Sequence, residues 1–139
     1  MYKTLTMPIP ASADLFQLAD LCAAFVVELV DCEDFAESMA LCGRLSHALT
    51  ALRLRCNAGL PPHLLEALKV DDNPAPCVPD CWSDSDLMLG YAQALTQALL
   101  SCSLTVTVTV ELTGLLHDLV LIMVEHLKQP HIKREAESE

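Results

Sequence analysis

A chain of 139 residues and 15.1 kDa with a formal charge of −11 is long enough for one core. It has too few cations to hold nucleic acid by its phosphates, a mode that needs clustered Lys and Arg. Hydrophobic residues reach 53% while aromatics stay at 4%, so the core is expected to be Leu, Val and Ala in closely packed helices rather than an aromatic-rich sandwich.

Pro8 and Pro10 hold the first residues extended, and Ser12 is placed to cap a helix that begins near Ala13 and ends around Asp31 to Asp34. This first helix is apolar nearly all round. One polar line, Gln17, Asp20, Glu28 and Asp31 with Ala24 in the gap, falls within about 80° of arc. Every other face carries groups such as Leu18, Cys22, Phe25, Val26 and Leu29, so the helix needs neighbours on most sides.

The second helix is expected from about Asp34 to Cys56, closed by Asn57 and Gly59, residues suited to the left-handed conformation that ends helices. Cys42, Leu45, Leu49, Leu52 and Cys56 make a leucine-rich stripe. Ala36, Ala40, Gly43, His47 and Ala51 make a second stripe of mostly small residues that would let a partner backbone come close. The helix therefore reads as central, with Arg44, Arg53 and Arg55 turned outward. Pro61 and Pro62 start a short third helix, His63 to Val70, since proline is tolerated in a first turn.

The linker that follows, DDNPAPCVPDCW, excludes regular structure from Pro74 to Pro79, and Ser83 with Asp86 opens a fourth helix in the manner of a capping box. Its apolar side reads Leu87, Met88, Tyr91, Ala92, Leu95, Ala98, Leu99 and Cys102, with Gln93, Gln97 and Ser101 opposite. Leu104 to Val110, LTVTVTV, alternates as a strand would. No comparable run exists to pair with it, and Thr105, Thr109, Thr113 and His117 recur in steps of four, so one long helix from Ser103 to Leu127 is assigned. The expected fold is all-α, a bundle of four long helices and one short one over residues 1–128. A charged, mobile tail over 129–139 completes it. The alternative is an α+β chain with a strand at Leu104–Val110.

The amino terminus carries no secretory pattern, and no run reaches the roughly 18 to 20 apolar residues of a membrane span. A soluble, cytoplasmic protein without a membrane partner is expected. Seven cysteines then read as free thiols, with Cys22, Cys42, Cys56 and Cys102 as small core residues. Cys56, His63, Cys77 and Cys81 lack the tight pairing of zinc knuckles, so no metal and no cofactor is expected. The histidines form no ligand pair, His117 beside Asp118 reads as a boundary residue of a helix, and Asp20 with Glu28 reads as a solvent edge. There is no nucleophile elbow and no phosphate loop. The chain is not expected to be an enzyme.

What remains is recognition. Seven acids and no base lie from Asp14 to Glu37, and Glu28, Asp31, Glu33, Asp34 and Glu37 form a candidate surface for a basic protein, with Trp82 as a second contact. The surplus apolar area of the first and last helices points to a homodimer through Phe25, Val26, Leu119 and Ile122. The expected role is a small acidic regulatory or adaptor protein. Its alternative is an accessory or prophage-type inhibitor that mimics nucleic-acid charge to occupy a DNA- or RNA-binding target.

Overall fold

The computed structural model describes residues 8–70, 85–129 and 132–133. Among these, five helices run as α1 Leu15–Asp31, α2 Phe35–Asn57, α3 Pro62–Ala67, α4 Ser85–Leu100 and α5 Val106–Lys128. The fold is all-α. A parallel ladder of two residues on each side, β1 Lys69–Val70 and β2 Ile132–Lys133, pairs Lys69 with Ile132 and Val70 with Lys133. The segment expected to trail freely is therefore joined to the body at residues 132–133.

Helix starts follow side-chain chemistry. Asp14 rather than Ser12 caps α1, and the cap is reciprocal. The Gln17 amide donates to Asp14 Oδ1 at 2.8 Å, and the Asp14 amide donates to Gln17 Oε1 at 2.9 Å. Moving the start by this amount frees Ala13 to be buried at the helix entrance. Asp34 caps α2 by accepting the Glu37 amide at 2.9 Å, and α2 closes with Gly59 at φ +88, the conformation glycine adopts at least cost.

The segment LTVTVTV is helical from Val106. Thr105 caps it by accepting the Val108 amide at 3.3 Å, while the hydroxyls of Thr109 and Thr113 donate back to the carbonyls of Thr105 and Thr109 at 2.9 and 2.7 Å. A threonine every fourth position thus satisfies its own polar group inside the helix, which a strand at the edge of nothing would not allow. By length and composition α5 is apolar enough to cross a membrane, with 22% of its most apolar stretch buried, which corrects the expectation that no such segment exists. Leu116, Leu119, Val120, Met123, Val124 and Leu127 are the side it buries in the bundle.

The four long helices form a ring in which α1 packs on α2 and α5, and α4 packs on α2 and α5. Consecutive helices run antiparallel. The residues from Cys32 to Asp34 turn α1 into α2, Arg53 late in α2 meets Asp86 early in α4, and Lys128 at the end of α5 meets Asp20 early in α1. One core fills the middle: Leu18, Phe25, Val26, Leu41, Leu45, Leu49, Leu52, Met88, Leu89, Leu116 and Met123 are all fully buried. The leucine stripe of α2 faces this core as expected. The small-residue stripe does not face a neighbour, since Ala36, Ala40, Gly43 and His47 are exposed.

One helix is turned relative to its expected orientation, and one side chain of another is placed differently. In α4 the buried side is Met88, Leu89, Ala92, Thr96 and Leu99, while Leu87 and Tyr91 are exposed. The rotation brings Gln93 against α2, where its Oε1 accepts from Arg53 Nη1 at 2.8 Å and its Nε2 donates to Thr50 Oγ1 at 3.4 Å. Gln97 Nε2 donates to Ser46 Oγ at 3.2 Å. Polar pairing along this seam outweighs a slightly better apolar fit, because a half-buried amide left unpaired costs about 1–3 kcal/mol. Thr96 is fully buried, with its hydroxyl donating to the Ala92 carbonyl at 2.7 Å.

In α2, Arg44 does not point outward. Its guanidinium lies 5.3 Å from the centre of the Phe25 ring, and Nε and Nη2 are buried without a hydrogen-bond partner.

Candidate partner-docking end of the bundle

The two ends of the ring are built differently. At the end where α1 starts and α5 stops, polar contacts tie the elements together. Arg53 Nε and Nη2 donate to the two Asp86 carboxylate oxygens at 2.8 and 3.1 Å. Arg55 Nε and Nη2 donate to the carbonyls of Ala13 and Ala11 at 3.1 and 2.7 Å. His63 Nε2 lies 3.6 Å from Asp14 Oδ2, and Lys128 pairs with Asp20 while lying 5.9 Å from the Phe16 ring centre. The Arg53 guanidinium, hydrogen-bonded to Asp86, holds that carboxyl below the usual carboxylate range.

The opposite end is open. The last turn of α1, the first turns of α2 and α5 and the end of α4 surround a cleft of about 300 Å³ lined by Leu29, Val30, Met39, Cys42, Leu99 and Val110, with Cys32, Ser38, Thr109, Thr113 and Gly114 completing it. Large apolar groups stand bare at this end: Val106 is 80% exposed, Phe35 67% and Val110 64%. Residues two apart on a helix are separated by about 200°, so Val106, Val108 and Val110 cannot share one buried face. The alternation that imitates a strand leaves apolar side chains facing water once it is wound as a helix.

Four of the acids singled out in the sequence come together at this open end. Asp31, Glu33 and Asp34 are exposed on the turn between α1 and α2, and Glu37 is half-buried one turn into α2. Asp34 has a second duty as the α2 cap, and Glu37 Oε2 lies 3.7 Å from Cys32 Sγ. Glu28 sits one turn back along α1, half-buried beside a shallow groove of Ala23, Ala24, Val27 and Asp31. Trp82 and the linker thiols Cys77 and Cys81 lie outside the described residues.

The residues named for a dimer are elsewhere. Phe25 and Val26 are 0% exposed and Leu119 3%, all inside a single chain, with Ile122 half-buried. The surplus burial demand of α1 and α5 is met by their packing on each other and on their ring neighbours. What stays bare is Val27 and Val30 on α1 with Val106, Val108, Val110 and Leu115 on α5.

Sulfur also concentrates at the open end, which sequence spacing does not reveal. Cys102 ends α4 in the left-handed region at φ 57 and is exposed, not a core residue. Its Sγ lies 3.6 Å from Met39 Sδ. Cys42 forms part of the cleft wall, where burial pushes its thiol up to about 11, and burial pushes Cys22, deeper in the core, up to about 12. Such thiols are protonated at neutral pH and inert. Asp20 is occupied by Lys128, so it is not poised with Glu28 as a pair of carboxylates. No family model, curated protein or solved structure matches the chain.

Proposed function

We propose that this is a small acidic regulatory or adaptor protein that acts by binding a basic partner at the open end of its helical bundle. The observation that carries the reading is the meeting of an apolar cleft and an acidic turn at one place. Exposed apolar groups give a partner area to bury, and carboxylates beside them steer and orient a cationic surface. The closed end offers neither, because its charges are already engaged within the chain. No catalytic role is part of this reading, and cytoplasmic residence is the setting that suits its thiols.

The test is a partner captured from the host and then measured pairwise. The triple variant Glu33→Gln, Asp34→Asn, Glu37→Gln keeps a competent helix cap, since Asn caps as well as Asp. It should slow association and flatten its salt dependence while leaving the melting temperature nearly unchanged. Binding that is insensitive both to salt and to the three substitutions would defeat the proposal. The charge-mimic alternative makes a different forecast: nucleic acid would compete with the protein for its partner. Self-association is a second reading, favoured by the bare Val106, Val110 and Leu115 of α5. Light scattering at micromolar concentration reads it directly.

A further inference from the structure

We infer that the open-end cleft seats one large apolar side chain of a cationic amphipathic helix. This rests on the preceding reading and narrows its partner from any basic surface to one class of segment. The acids Asp31, Glu33, Asp34 and Glu37 stand at this end, Glu111 lies one turn into α5, and there is no Lys or Arg from 29 to 43 or from 95 to 114. Lys and Arg flanking an apolar anchor would therefore meet carboxylates and no opposing cation.

The cleft also discriminates between backbone conformations. An extended segment brings unpaired amides and carbonyls that a docking surface must satisfy, whereas a helix satisfies its own. Of the hydroxyls around the cleft, those of Thr109 and Thr113 are spent on their own helix. Ser38 adds one more hydroxyl, too few for the row of amides and carbonyls that a strand presents, and the remaining lining is apolar or sulfur, with Met39 able to adapt its shape to different side chains. A helix presenting one anchor fits this chemistry, and a strand does not.

A second copy is a poor occupant. Among the described side chains, Arg53 is engaged on Asp86 and Gln93, Arg55 on two carbonyls, Lys128 on Asp20 and Lys69 on Glu66, while Arg44 lies over the Phe25 ring. The chain thus has no described cationic helix to lend to its own cleft.

Gly114 supplies the decisive variant. It lines the cleft, and a Cβ built on it meets nothing within 4 Å, so Gly114→Leu adds a bulky side chain to the cleft lining without a backbone clash. The probe is a fluorescent synthetic peptide of about 18 residues, roughly five helical turns, with Leu on one face and Lys on the other. Its control has the same composition scrambled to remove the apolar face. The amphipathic peptide should bind at least about tenfold tighter than the control and gain helicity on binding. Gly114→Leu should abolish that advantage while melting no lower than the parent. Val110→Lys, which sets a cation on the rim at an exposed position, should do the same and stands in if the first variant fails to fold.

Equal affinity for the two peptides, both lost in salt, would overturn the cleft assignment and leave the acidic-face reading standing. An affinity advantage that survives both substitutions would also overturn it. Failure of both peptides to bind at low salt would remove the two readings together. A dimer by light scattering that the peptide cannot dissociate would show the cleft covered by a second copy, and would equally end the proposal.

Discussion

The two ends of the bundle differ less in what they contain than in what their residues are already doing. At the closed end, arginine, lysine and histidine side chains hold carboxylates and carbonyls of the same chain. At the open end, carboxylates face water and valines stand bare around a cleft. Charge that is paired at home steers nothing, and apolar area that is buried at home binds nothing. The contrast is the basis of the docking role proposed above, and it can be broken by experiment.

The largest effect should come from moving one charge between the two environments. Val26→Glu places a carboxylate in a fully buried site, which costs several kcal/mol and should abolish the cooperative thermal transition. Val110→Glu places the same group at the open rim, at a position 64% exposed, and should stay within about 0.5 kcal/mol of the parent. Circular-dichroism melts decide both. If Val110→Glu is as damaging as Val26→Glu, the open end is part of the core and the distinction between the ends is lost.

Thiol chemistry sharpens the same contrast on a scale of rates. Among the described thiols, exposed Cys102 should alkylate first in the native protein, half-buried Cys32 after it. Cys42 and Cys22, whose thiols burial pushes up to about 11 and about 12, should react at least about a hundredfold more slowly until the chain unfolds. Peptide-resolved mass spectrometry after timed exposure to iodoacetamide measures the order. Labelling of Cys22 as fast as Cys102 would mean that the core opens freely.

The smallest effect belongs to the Arg53 and Asp86 pair. Because the hydrogen bond from Arg53 lowers the folded-state value of the Asp86 carboxyl, the stabilisation is present above the unfolded carboxylate value, near about 4, and is lost as pH falls through the lower folded value. Both groups are solvent-facing, so screening keeps the contribution small. Asp86→Asn should melt slightly below the parent at neutral pH, and the two curves should converge in acid. A gap that widens in acid would contradict the assigned pairing.

Periodicity made the helices readable, because an apolar stripe at helical spacing needs a packed neighbour wherever it lies. The threonines at every fourth position settled LTVTVTV as α5 for the same reason. Rotation about the helix axis was less accessible. Gln93 and Arg53 choose each other across 40 positions, and a long-range pair of this kind leaves no local pattern. The acidic turn was legible as composition. The cleft beside it was not, since it arises from four segments distant in the chain and from valines that one helical face cannot hide. Phe25 and Val26 looked like surplus surface because a single helix shows its burial demand and not the partners within the same chain that meet it.

The pairing of Lys128 with Asp20 brings together the two places where the chain enters and leaves its helical body. Both exits thus lie at the closed end, as far from the cleft as the long helices reach, about 30 Å for some 20 residues. Joining the exits and reopening the chain at Glu33 would yield a circular permutant with the same ring of helices, and with new termini at the mouth of the cleft, where a candidate peptide could be tethered in a single molecule.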